Sequence, residues 1–288
     1  MKKLLPLLLF LLLLAGCAET YDGPTEPSSV CSRAESIYYD RDGQISQQYL
    51  EEYAYDIHGN RSVIREYSIS PITDEKDPTL KTVLRYDERG NVIRQTQYDV
   101  SGWFPRKICD NRYTYDDQGR MIRSTHTEEP DTVITYDDGA NTRTTSCNGN
   151  TIVEYLNERG WVMSNDQTFS DGRHCRDEYE RDPDGRLLSI RSYEGGVLSS
   201  ELVYTYDDQG RSLTMTKIED SVSTLLYGWE YGKDWERMFY SDGTCSTVVY
   251  HEDGTMKRQY HTDADGHLSW ETFYYYTEIQ VPAEEVSP

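Results

Sequence analysis

The segment HTDADGH (residues 261–267) sets His261, Asp263, Asp265 and His267 within seven positions, a donor set suited to a divalent cation. The spacing argues otherwise. A calcium loop of the EF-hand type needs Glu at its twelfth position. Taking Asp265 as the fifth position puts Thr272 there, and taking Asp184 puts Arg191 there. These aspartates are better read as turn residues, and no metal or cofactor is expected. The other histidines, His58, His126, His174 and His251, are dispersed, and no H-E-x-x-H, G-x-S-x-G or phosphate-loop pattern occurs. An enzyme is therefore not expected; the alternative is an envelope hydrolase using dispersed Asp/Glu pairs. The chemistry that remains is aromatic. Trp103, Trp161, Trp229, Trp235 and Trp270, with 25 tyrosines, are candidate ligand contacts, because indoles and phenols stack on the apolar faces of sugars.

The elements that must carry these side chains are announced by a repeat. The octapeptide YTYDDQGR occurs at 113–120 and again at 204–211. Related copies are YDRDG (39–43), YDIHG (55–59), YDERG (86–90), YLNERG (155–160) and RDPDG (181–185), with looser ones at 240–243, 250–254 and 261–266. Tyr-x-Tyr-Asp alternates, so Tyr113 and Tyr115 share one face of a strand. Asp116 can accept amide hydrogen bonds two residues on, and Asp117-Gln118 suit a type I turn. Gly119 takes the left-handed position of a G1 bulge, as do Gly59, Gly90, Gly185 and Gly210 in their copies. Weaker turns at 99–102, 135–141, 169–172 and 193–196 return the chain. The expected fold is all-β, a repetitive antiparallel hairpin meander over residues 37–278, twisted or wound. Whether it closes is open, and the repeats look too few to close a large shell. Beyond the N-terminal segment no helix is expected.

The first residues, MKKLLPLLLFLLLLAGC, combine a basic start with a leucine run too short to span a bilayer, which reads as a signal peptide (1–16). LAGC resembles a bacterial lipobox, which implies acylation of Cys17 and cleavage before it. Residues 17–36 read as a flexible tether and 279–288 as a polar tail. The formal charge is −22; loss of Lys2 and Lys3 leaves 27 basic against 51 acidic residues, or −24. Such a surface repels nucleic acid. Cys31, Cys109, Cys147, Cys175 and Cys245 contain no C-x-x-C pair, and their odd number leaves a thiol over with no pairing assigned.

YTYDDQGR, LRYDERGNVI and YAYDIHGN resemble the YD repeats of Rhs-type bacterial surface proteins, over roughly residues 38–276. YSDGT and YHEDGTMKRQY (240–260) are similar to MORN-like hairpin repeats. The resemblance implies a hairpin-built sheet, wound in the longest members into a shell around a toxin; no toxin domain is expected here. The expected protein is an envelope lipoprotein facing outside the cytoplasm. Its membrane partner is reached through lipid on Cys17, and its ligand would be a carbohydrate, a cell-wall polymer or a surface protein. An immunity-type or structural lipoprotein is the other non-enzymatic reading.

Overall fold

The computed structural model describes residues 28–279; the signal segment, Cys17, most of the tether and the polar tail lie outside the described residues. Twenty strands follow one another: β1 (Ser28–Tyr39), β2 (Ile45–Tyr55), β3 (Arg61–Ile69), β4 (Lys76–Tyr86), β5 (Val92–Asp99), β6 (Arg106–Tyr115), β7 (Met121–Thr125), β8 (Thr132–Asp137), β9 (Thr142–Cys147) and β10 (Asn150–Leu156) form the first half. The second half comprises β11 (Val162–Thr168), β12 (His174–Arg181), β13 (Leu187–Glu194), β14 (Val197–Tyr206), β15 (Ser212–Glu219), β16 (Val222–Tyr231), β17 (Trp235–Tyr240), β18 (Cys245–Tyr250), β19 (Met256–Thr262) and β20 (Leu268–Ile279). Each strand pairs antiparallel with the next, and β20 pairs with β1 from Ser28–Ile279 to Tyr38–Trp270. The sheet therefore closes into a ring, the point the sequence left open. Residues 28–36, read from the sequence as part of a tether, belong to β1, where Ser36 Oγ meets Thr272 Oγ1 at 2.8 Å.

Each corner follows from its sequence. At 116–120 the Asp116 amide donates to the Arg120 carbonyl (2.9 Å) and the Gly119 amide to the Asp116 carbonyl (3.0 Å). Asp116 Oδ1 accepts from the amides of Gln118 (3.0 Å) and Arg120 (2.8 Å). Gly59, Gly90, Gly119, Gly185 and Gly210 have φ between 79° and 91°, the left-handed region the bulge requires. The repeat tyrosine then stitches hairpins together. Its hydroxyl donates to the carbonyl two residues past the glycine of the preceding corner on the same rim: Tyr86 to Arg61 (2.7 Å), Tyr115 to Val92 (2.8 Å) and Tyr206 to Leu187 (2.7 Å). Where Arg181 replaces the tyrosine, its Nε takes the same position on Val162 (3.4 Å).

Because the strands alternate, all turns after even-numbered strands lie at one rim, and all turns after odd-numbered strands at the other. Most of the strong YD copies occupy the first, here the YD rim, where Ser28 and Ile279 also lie side by side. Its turns are knitted to one another: Arg89 Nη1 donates to the Asp117 carbonyl (2.6 Å), Arg159 Nη1 to the Pro183 carbonyl (2.8 Å), and Arg120 pairs with Asp138 (2.6 Å). The far rim is more irregular.

The wall encloses a lumen rather than a core. Among the described apolar residues only Ala34 and Leu50 are fully buried. Eight strands make a barrel that side chains can fill, whereas 16 to 18 leave an aqueous channel. Twenty, at about 4.8 Å each, give a sheet roughly 95 Å wide measured across the strands, and strand tilt makes the ring wider still. Among the described residues, strands bring their Cα atoms within 8 Å of one another only between sheet neighbours. Exposure alternates along the strands, Tyr113 and Tyr115 being half-buried and Thr114 exposed. Side chains crowd on a concave surface and splay on a convex one, so the tyrosine face lines the lumen. The outer face carries ion pairs such as Arg94–Asp110 (2.7 Å), Arg191–Glu201 (2.9 Å) and Arg258–Glu271 (2.6 Å).

Candidate functional site on the inner wall

The tryptophans separate into three settings. Trp161 lies over Gly185, with the Arg159 guanidinium 5.1 Å from its ring, and Trp235 covers Gly232; both shape corners of the YD rim. Trp103 stands at the far rim. Trp229 and Trp270 alone of the five share a surface, on the inner wall.

They belong to an aromatic arc running from β16 to β2. Tyr227 lies 6.1 Å from Trp229 and 5.3 Å from Tyr240, the latter pair edge-on at 74°. Tyr240 lies 5.9 Å from His261, whose ring stacks on Trp270 at 6.0 Å and 5°. Trp270 is directly opposite Tyr38 in the β20–β1 register, and Tyr38 meets Tyr49 edge-on at 5.8 Å. Ser246 Oγ is 2.9 Å from His261 Nδ1 and 3.4 Å from the Tyr240 hydroxyl, which fixes the imidazole in the middle of the arc. The arc is contiguous only because the ring closes between β20 and β1. The tyrosines and His261 were missed as a group in the sequence. Their signal was parity: Tyr227, Trp229 and Tyr231 alternate in LLYGWEY just as the repeat tyrosines do.

Elsewhere the same inner face is polar. Asn165 Nδ2 donates to the Tyr179 hydroxyl (2.7 Å), Gln167 Nε2 to Asp177 (3.0 Å), and Ser192 Oγ to Asp177 (2.7 Å). Burial first, then the negative charges of Asp177 and Glu154, push the Tyr179 phenol up to about 12. Cys109, Cys147 and Cys175 also face inward as free, half-buried thiols, and Cys31 and Cys245 are likewise unpaired. The lumen thus offers a stacking surface on one arc and amides, hydroxyls and a carboxylate on another.

Asp263, Asp265 and His267 do gather at the far rim, with their donor atoms within 4.8 Å of one another. They are the turn residues expected: Asp263 Oδ1 accepts from the amides of Asp265 (3.0 Å) and His267 (2.9 Å). Among the described residues no helix is long and apolar enough to cross a membrane.

A ring of YD-cornered hairpins around a lumen defines a structural shell protein. The chain belongs to the Teneurin YD-shell family, whose model matches residues 47–258. No curated protein matches it. Among solved structures it is similar to a porin-like protein from Bacteroides uniformis, at 10% identity and TM-score 0.39, covering 86% of this chain and 98% of that one. It is also similar to the Photorhabdus luminescens Tc holotoxin pore, at 11% identity and TM-score 0.29, covering 82% of this chain and 18% of that one. A porin-like protein from Bacteroides vulgatus matches at 11% identity and TM-score 0.33, covering 62% and 96%. None of these likenesses bears on what this chain binds.

Proposed function

We propose that this protein is a non-catalytic shell lipoprotein of the bacterial envelope, held outside the cytoplasm by lipid on Cys17, that takes up a glycan or cell-wall polymer on its inner wall. The observation that carries the reading is the aromatic arc around Trp229, His261 and Trp270. A sugar has apolar faces that stack on aromatic rings and hydroxyls that need polar partners, and the lumen supplies both on separate arcs. Covalent lipid supplies about 0.8 kcal/mol per buried CH₂, so two or three acyl chains hold the ring stably.

Glycan-array binding by residues 18–288, which keep every strand of the ring, tests the ligand. Trp229→Ala and Trp270→Ala should abolish the signal, while Trp235→Ala, at a corner, should leave it. Silence on all sugars, or loss from the corner variant alone, sinks the reading. Anchoring is tested by Cys17→Ser, which should lose palmitate labelling and membrane association together.

Hydrolysis is the second reading, and one observation favours it. Glu51 and Glu66 stand directly opposite each other on the inner faces of β2 and β3. Burial first, and then the charge of Glu51, raises the Glu66 carboxyl above its ordinary range. Two carboxyls facing each other are the groups a glycosidase would use as acid and base. Reducing-end release from bound glycan, abolished by Glu66→Gln with binding retained, would establish it.

A further inference from the structure

The far rim carries an apolar knob that touches nothing. Trp103 is completely exposed and Phe104 is 87% exposed at the β5–β6 connection, and Ile72 at the β3–β4 turn, two strands along the same rim, is 91% exposed. Large aromatic side chains are seldom left wholly in water, and together they are the residue types that dominate binding energy at interfaces. The loop that presents them is fastened at its base. Asp99 Oδ1 accepts from the Ser101 amide (3.1 Å) and hydroxyl (2.6 Å), and Asp99 Oδ2 pairs with Arg106 (3.2 Å).

The electrostatic setting selects the partner. Asp74, Glu75 and Asp77 on one side of the knob, and Glu128 and Glu129 on the other, have no ion-pair partner among the described residues. Three cations at its base are themselves paired with acids: Lys76 with Glu52 (3.7 Å), Arg106 with Asp99 (3.2 Å) and Lys107 with Asp110 (3.2 Å). The knob is therefore apolar at its tip and anionic around its base. We propose that it is the anchor for a basic protein partner, seating Trp103 and Phe104 in an apolar socket flanked by Lys and Arg. A second copy docking rim to rim would set acid against acid, and anionic lipid would be repelled.

The test uses residues 18–288 and the variant Trp103→Ser/Phe104→Ser. Both positions are solvent-exposed, so the variant should keep the circular dichroism spectrum and melting curve of the parent. The probes are an amphipathic Lys/Leu helical peptide, its Glu/Leu counterpart and phosphatidylcholine vesicles. The parent should bind the Lys/Leu peptide with an affinity that falls with salt, ignore the other two probes, and remain monomeric. The variant should bind the peptide at least about tenfold more weakly. The proposal is overturned by absence of binding, by equal binding of parent and variant, by knob-dependent binding to the vesicles, or by knob-dependent self-association in sedimentation.

Discussion

Two glycines in the same backbone conformation should respond very differently to alanine. Gly90 has φ +81° and Gly185 φ +91°, so both incur the left-handed penalty when a Cβ is added, about 1–2 kcal/mol. Alanine also removes freedom from the unfolded chain, which offsets about 0.4–1 kcal/mol. At Gly90 nothing lies within 4 Å of the added Cβ, so the net cost of Gly90→Ala should be about 1 kcal/mol. At Gly185 the Cβ would sit 2.5, 2.7 and 2.9 Å from Cζ2, Cη2 and Cε2 of Trp161. The indole must move, and overpacking of that kind costs about 1–3 kcal/mol beyond the backbone term. Gly185→Ala should therefore cost roughly 3 kcal/mol, some 2 kcal/mol more than Gly90→Ala. Urea unfolding followed by circular dichroism reads this as midpoint shifts at constant slope. In the Gly185→Ala/Trp161→Ala double variant the steric part should vanish, leaving a coupling of about 1–2 kcal/mol. Equal costs at the two glycines, or strict additivity in the double variant, would refute the claim that one corner's side chain is packed on the next corner's glycine.

Three further outcomes are expected. Removing the stitching hydroxyls with Tyr115→Phe or Tyr206→Phe should each cost about 1 kcal/mol in the same urea assay, whereas Tyr49→Phe, whose exposed hydroxyl meets only Gln47, should cost little. Acid should unfold the ring cooperatively: burial pushes the Asp87, Asp116, Asp182 and Asp207 carboxyls up, but bonds from the following turn residues outweigh it and hold all four below the usual range. A depressed folded value gives stability that is present above about pH 4 and disappears as pH falls through the folded value, so ellipticity should be flat from about pH 7 to 5 and collapse below about 4. Hydrogen exchange should be fastest at the seam between β7 and β8, where only Arg123–Val133 and Ser124–Thr132 are paired; uniform protection around the ring would contradict this.

The corners were legible in the sequence because everything they need is local. Asp116, Gly119 and their equivalents fix a turn within five residues, so hairpins, face alternation and the absence of helix among the described residues could all be written from YDxxG. Closure was not local. It rests on β1 meeting β20, and Ser36 and Thr272 carry no mark that they are partners. The same reason hid β1 itself: SSVCSRAES is small and polar, without turn residues, and reads as a tether until β20 supplies its ladder. The tryptophans formed one class in the sequence, but burial and neighbours divide them, since Trp161 and Trp235 pack on glycines while Trp229 and Trp270 join an arc whose halves lie at opposite ends of the chain. Trp103 stood out only as an aromatic, and its complete exposure depends on where the loop falls on the rim.

The pairing of Ser28 with Ile279 also fixes how the shell would yield to tension. The described ring begins and ends at the same rim, in adjacent antiparallel strands. A load applied between them acts across the β1–β20 ladder at its end, so residue pairs would separate in succession, as in unzipping, instead of sharing the force along the strands as in shear. Once that seam has opened, every following hairpin presents the same geometry. The ring is therefore built to open progressively, like a purse whose clasp is the β1–β20 seam, hairpin after hairpin.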